Sequence, residues 1–192
     1  RKAGDSAVVA SDSNCYVVVF RSVGRQEYAT KDVRHILFKV DESALDSEAE
    51  TYEADLQAAK DAAKTAAEDA LAQWKAGEAT EDSFAALANE LSADAGSNTN
   101  GGLYTKIYKN QMVTEFNDWC FDAGRQSGDT GIVYGESSNY KGYHVIYFVG
   151  DDVPYWQVQA ENALRNTDTE AWLDGLLDSA DVVQEAGMKH VG

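Results

Sequence analysis

Val33-Arg34-His35-Ile36-Leu37-Phe38-Lys39-Val40 and, near the other end of the chain, Gly142-Tyr143-His144-Val145-Ile146-Tyr147-Phe148 are the stretches on which the fold turns. Each sets one histidine near the start of a β-branched and aromatic run, the composition of a buried strand. Strands far apart in sequence can lie side by side in one sheet, which brings their imidazoles together. The chain has 3 histidines in all, and two of them sit here. Each also reads as a hydrogen-bonded core residue, and the segment between them bears on the choice.

Outward from these strands, the pattern alternates between sheet and helix. Cys15-Tyr16-Val17-Val18-Val19-Phe20 reads as a strand, after a small, polar and extended stretch over 1–12 and before a polar link, 21–31. Residues 48–76 form a long helix, with Ala59, Ala63, Ala66, Ala70 and Trp74 at helical spacing and Gly77 at its C-terminal end. Thr80 opens a second helix through Leu91, with Phe84, Leu87, Ala88 and Leu91 facing inward. A polar loop, 92–102, ends in Gly101-Gly102, and 103–108 reads as a short strand. A third helix spans 113–123, a strand 132–134 and the second histidine strand 142–149. Pro154 opens a final helix, whose apolar stripes are Trp156, Ala160, Ala163 and Leu164, then Trp172, Leu173, Leu176 and Leu177. This order predicts an α+β domain with an antiparallel or mixed sheet and helices packed against it.

Composition narrows the function classes. The 192 residues suit one domain with appendages or two small ones. Net charge is −17, from 33 acidic against 16 basic residues, which argues against nucleic acid and against an anionic membrane surface. Cys15 and Cys120 form no metal-ligand spacing and no disulfide framework, and Cys120, in an apolar helical run, reads as a buried small hydrophobe. No run reaches the length of a membrane span. The chain starts at Arg1 with neither methionine nor signal peptide, and so reads as processed or truncated.

The blocks then fall into a known order. Arg34-His35-Ile36-Leu37, the long helix, Phe84-Ala85-Ala86-Leu87-Ala88, Ser92-Ala93-Asp94, Ser97, Gly101-Gly102, Met112-Val113, Phe116, Gly128 and Gly142-Tyr143-His144-Val145-Ile146 together resemble the parvulin family of peptidyl-prolyl cis/trans isomerases. The resemblance covers residues 30–150. It implies a parvulin-like four-stranded sheet with about three packed helices, flanked by an N-terminal strand and a C-terminal helix. It places His35, Asp94 and His144 at the catalytic positions, and Leu103, Met112 and Phe116 around the proline ring. It implies no metal and no cofactor, since rotation about an X–Pro bond breaks no bond and faces only a torsional barrier of ~20 kcal/mol. Outside the family context, Asp94 also reads as a loop residue capping its own turn, and Met112 and Phe116 as helix-face core.

Two departures stand out. The family usually reads Gly-Gly-Asp-Leu-Gly, whereas Gly101-Gly102 here run into Leu103-Tyr104, which reads as one residue missing. Phosphate-directed members carry a basic cluster after the first histidine strand; this chain has Asp41-Glu42-Ser43, so a phosphorylated substrate is not expected. The tail 169–182 is similar to the helix that follows the isomerase in secreted PrsA/SurA-like foldases. By that resemblance, 1–29 and 151–192 are parts of a chaperone module around an isomerase domain at 30–150. The expected partners are unfolded or partly folded proline-containing polypeptides. The expected location is extracytoplasmic, with a membrane anchor, if any, in a segment absent here. The remaining histidine, His190, reads as incidental; by the resemblance the turn 139–141 occupies the region where some members carry a hydroxyl close to the substrate, while Asn139 and Lys141 themselves read as surface turn residues. The competing class is a catalytically weak or inactive module that grips extended polypeptides, and a structural surface domain is a third.

Overall fold

Alternation along one strand sets the layers of the molecule. In β3 (Ala29–Lys39) the side chains of Val33, His35 and Leu37 point to one side of the sheet, and those of Ile36 and Phe38 to the other. The computed structural model describes residues 1–137 and 140–179, so His190 and Asn139 lie outside the described residues. β3 sits inside a four-stranded sheet with β4 (Leu103–Ile107), β5 (Thr130–Glu136) and β6 (Lys141–Pro154). The order is β4-β3-β6-β5, and every pairing is antiparallel. The mixed alternative is thereby removed.

Helices cover both faces. On one, α1 (Tyr52–Ala76) and α2 (Glu81–Leu91) bury Ala67, Ala70, Trp74, Phe84, Leu87 and Ala88 against Ile36, Val145 and Tyr147. Ala67 is buried where the sequence spacing favours Ala66, and Leu91 is exposed. The Trp74 indole N–H donates to the Thr80 carbonyl at 2.9 Å, tying the end of α1 to the start of α2, where Thr80 and Ser83 form a capping box. On the other face, the short α3 (Thr114–Cys120) sets Phe116 and Cys120 against Val33, Ile146 and Phe148. Burial alone raises the Cys120 thiol to about 12, which makes it packing rather than a nucleophile.

The flanks depart from expectation in four ways. Residues 6–10 form a strand, β1, paired antiparallel with β2 (Cys15–Val19) in a two-stranded sheet of their own. The valines of β2 are not a buried strand: Val17 is 77% exposed. The last helix, α4 (Tyr155–Ser179), buries none of its apolar stripes, and Trp172 is 63% exposed. Pro154 is the last residue of β6 rather than the first of that helix. Stacking of Tyr155 on Tyr28 and Tyr108 and the Tyr155 N–H bond to the Tyr28 carbonyl hold the start of α4 to the sheet.

Candidate functional site

His35 and His144 belong to neighbouring strands but are not direct partners. His35 stands opposite Ile146, and His144 opposite Leu37, so the two imidazoles form a diagonal pair on the α3 face. Their Nδ1 atoms are 3.1 Å apart, and both residues are 4% exposed. Phe116 of α3 meets both rings edge-on, at 5.7 and 5.3 Å between centroids. Gly135 of β5 leaves room beside them: a Cβ there would lie 3.0 Å from His144 Nε2 and 2.8 Å from Val113.

The loop after α2 delivers Asp94. Its start is hydrogen-bonded to β3: the Ala93 N–H donates to the Leu37 carbonyl, and the Leu37 N–H to Ser92 Oγ. Its end is held by Arg34, which donates to the Asn100 and Gly101 carbonyls while paired with Glu81. Gly102 closes the loop against β3. Its φ is +69°, its carbonyl accepts the His35 N–H, and a Cβ would fall 2.2 Å from the His35 carbonyl oxygen. Glycine is the residue that satisfies all three conditions.

Asp94 Oδ2 thereby lies 2.9 Å from His35 Nε2, and it accepts hydroxyl hydrogen bonds from Ser97 and Tyr104. The histidine bond, followed by those from Ser97, Tyr104 and the Gly96 N–H, holds the carboxyl well below its usual range against the opposing effect of burial. Asp94 is therefore an ionised acceptor. Burial, together with the neighbouring His35, pushes His144 down to about 3, so this ring is neutral at ordinary pH. Tyr104 is raised to about 12, by burial and by its bond to Asp94. At the far end the Tyr140 hydroxyl is 3.1 Å from His144 Nε2, with the two rings edge to face. The group of five runs Tyr140, His144, His35, Asp94, Tyr104, and Ser97 braces Asp94.

Beside this group lies a cavity of about 300 Å³ lined by His35, Leu37, Lys39, Asp94, Tyr104, Met112, Val113, Phe116, Tyr140 and His144. Five residues picked out by sequence, His35, Asp94, Met112, Phe116 and His144, thus meet at one place. Leu103 does not. Side chains alternate along β4, and it is Tyr104 that faces the cavity and packs over His35. Tyr104, two residues after Gly102, thus takes the cavity-facing place expected of Leu103. Tyr104, Tyr140 and Val113 were not predicted as lining residues. The signal for Tyr104 was in the sequence, two residues after Gly102, and an ungapped reading of that run finds it. Tyr140 lies in the turn 139–141, where the resemblance marks a hydroxyl near the substrate in some members, but no local pattern singles out this residue within the turn. Among the described residues, no group of three or more His, Cys, Asp or Glu side chains is placed to hold a metal ion. Nor is any helix among them long and apolar enough to cross a membrane.

Comparison with known proteins bears on the same region. The family model of the PPIC-type PPIASE domain matches residues 17–151. No curated protein matches the chain. Among solved structures, the peptidylprolyl isomerase PrsA from Bacillus cereus is similar, with a TM-score of 0.43 and 24% identity over 84% of this chain and 54% of that one. A second similar structure comes from the Campylobacter jejuni pair PEB4, a virulence factor, and the periplasmic protein Cj1289, described as SurA-like chaperones. Its TM-score is 0.42, at 23% identity over 82% of this chain and 56% of that one. The chain therefore spans little more than half the length of the solved structures it matches.

Proposed function

The chain belongs to the PPIC-type, or parvulin, family of peptidyl-prolyl isomerases, and from that premise we propose that it catalyses cis/trans rotation of X–Pro bonds in unfolded or partly folded polypeptides. The observation that carries this reading is the cavity itself, where an apolar wall of Met112, Val113 and Phe116 faces the hydrogen-bonded histidines. Proline presents a compact apolar ring and no N–H, so such a wall suits it. A planar amide is more polar than a twisted one, in which resonance is lost, and it is better solvated by water than by an apolar slot. Holding the X–Pro bond there lowers the relative cost of twisting it. His35 and Asp94 position the polar side of the slot; neither a nucleophile nor a metal enters the step.

The substrate is proposed to be unphosphorylated. Asp41 and Glu42 follow the first histidine strand, and Glu42 is paired with Lys141 at 2.8 Å, which engages a cation near that end of the strand. We further propose that 30–150 is the isomerase unit and that 1–29 and 151–192 contribute to a chaperone module. The chain is then a foldase for exported proteins outside the cytoplasm.

A protease-coupled assay on a proline-containing peptide tests the activity, with Glu-Pro and phospho-Ser-Pro peptides compared for selectivity. Faster turnover of the phosphopeptide overturns the proposed selectivity. A second reading, a module that grips extended polypeptides without accelerating rotation, is favoured by the exposed valines of β1 and β2 and the bare apolar residues of α4. No acceleration, with an unfolded client still kept in solution, decides for that reading.

A further inference from the structure

The order of protons along the buried group follows from its ionised end. Asp94 has no proton to give, and three groups converge on its Oδ2: His35 Nε2, Ser97 and Tyr104. With one proton on each ring, His35 carries its own on Nε2, leaving Nδ1 bare. His144 Nδ1, 3.1 Å away, must then hold a proton and donate it. This leaves His144 Nε2 bare in turn, and the Tyr140 hydroxyl, 3.1 Å away, donates to it. Each group has one way to satisfy its neighbour, so the tautomers are assigned from Asp94 outward.

The consequence is felt at the cavity wall. Tyr140 and Tyr104 both line the cavity, and both have their hydroxyl protons committed, to His144 and to Asp94. What they have left is lone pairs. With Asp94 ionised, the polar wall accepts hydrogen bonds, and among the described residues Lys39 is the one lining side chain with protons to spare. The other walls, from α3 and the segment before it, are Met112, Val113 and Phe116, and β5 contributes Gly135 without a side chain.

Resting on the isomerase reading above, we propose that Tyr140 is a substrate-binding residue whose phenol oxygen accepts a backbone N–H flanking the bound proline. Proline lacks an N–H, so the neighbouring residues hold the backbone donors nearest to it. With the ring against the apolar wall, a flanking N–H finds acceptors on the opposite one. A substrate carbonyl finds no donor in Tyr140, because the proton of Tyr140 is turned inward by a chain that begins at Asp94.

The test uses the peptide acetyl-Ala-Ala-Pro-Ala-amide and two analogues, N-methylated at the alanine before and at the alanine after proline, each titrated into the protein by NMR. One analogue is expected to bind about fivefold more weakly than the parent, the size of one lost hydrogen bond. Tyr140→Phe should weaken the parent by the same factor while leaving that analogue unchanged. Equal binding of all three peptides to the wild type, or full discrimination retained in Tyr140→Phe, overturns the proposal while leaving the isomerase reading intact. Failure to bind any of the three overturns both. The wild type alone gives a second readout: imidazole nitrogen spectra should show His144 protonated on Nδ1 and bare on Nε2. The opposite tautomer makes Tyr140 a donor to the cavity and overturns the proposal.

Discussion

His144 lies diagonally across from His35, opposite Leu37 rather than opposite His35, and the offset brings Nδ1 to within 3.1 Å of Nδ1. A direct pair would put two Cβ atoms face to face, whereas the diagonal sets the rings edge to edge and nearly coplanar, at 5.3 Å between centroids and 25° between planes. Each imidazole serves the other, so removing either leaves a buried partner unsatisfied.

His144→Ala strips His35 Nδ1 of its donor and leaves the Tyr140 hydroxyl without its acceptor. The expected cost is about 1–3 kcal/mol of stability, measured as a lower urea midpoint with unchanged slope. Isomerase turnover should fall about tenfold or more, near 1.4 kcal/mol of barrier. Wild-type activity with both histidines replaced and the fold intact removes the pair from any essential role.

Asp94→Ala leaves His35 Nε2, Ser97 and Tyr104 with no common acceptor, and should destabilise by about 2–4 kcal/mol. Asp94→Asn keeps one oxygen for them and should cost less. In either variant the Tyr104 phenol loses the charge that helps to raise it, and in the alanine variant the bond as well, so its ultraviolet titration should move to lower pH. A Tyr104 titration unmoved in both variants contradicts the proposed contact.

Acid should destabilise the fold in two overlapping steps. His144 is depressed from an ordinary value of 6.5 to about 3, so between those limits the unfolded chain binds a proton that the folded one refuses. Stability is whole above 6.5 and falls as pH drops through that window, by at most about 1.4 kcal/mol per pH unit for the one proton. Asp94, also depressed, adds a contribution that is present above an ordinary carboxylate value near 4 and is lost as pH falls below it. Thermal melts from pH 7 to pH 3 check the shape, and His144→Ala should flatten the upper step. An unchanged upper step assigns it to another group.

Gly135→Ala and Gly131→Ala should separate function from packing. A Cβ at Gly135 meets Val113 at 2.8 Å and His144 Nε2 at 3.0 Å, at the edge of the cavity. The expected loss there is about tenfold in kcat/KM with modest destabilisation. A Cβ at Gly131 meets the Trp119 ring at 2.2 Å, behind α3, and should cost about 1–3 kcal/mol of stability with little change in turnover per folded molecule. The reverse pattern places the cavity mouth elsewhere.

Much of this was legible along the chain because it rests on local rules. Alternation put Val33, His35 and Leu37 on one face, helical spacing placed Ala63, Ala70 and Trp74 inward, and Thr80 announced its cap. Where local rules tie, the sequence misleads. Val17 and Val18 have the composition of a buried strand but lie in an exposed hairpin, because no second layer among the described residues covers them. The family resemblance puts Leu103 at the pocket, yet the anchoring of Gly102 to His35 sets the register and turns Tyr104 inward instead.

By itself, the sequence determined the two histidine strands, the helices between them and, through its ordered blocks, the family. Those are properties of spacing and composition, which a chain carries before it folds. Only the tertiary structure decided that β3 and β6 are antiparallel neighbours with the histidines two residues off register. It alone brought Tyr140, from a turn, to His144, and Tyr104 to Asp94. Contacts of this kind depend on register and on loop closure. A shift of one residue turns every side chain to the other face, and no local pattern records which register the packed sheet adopts.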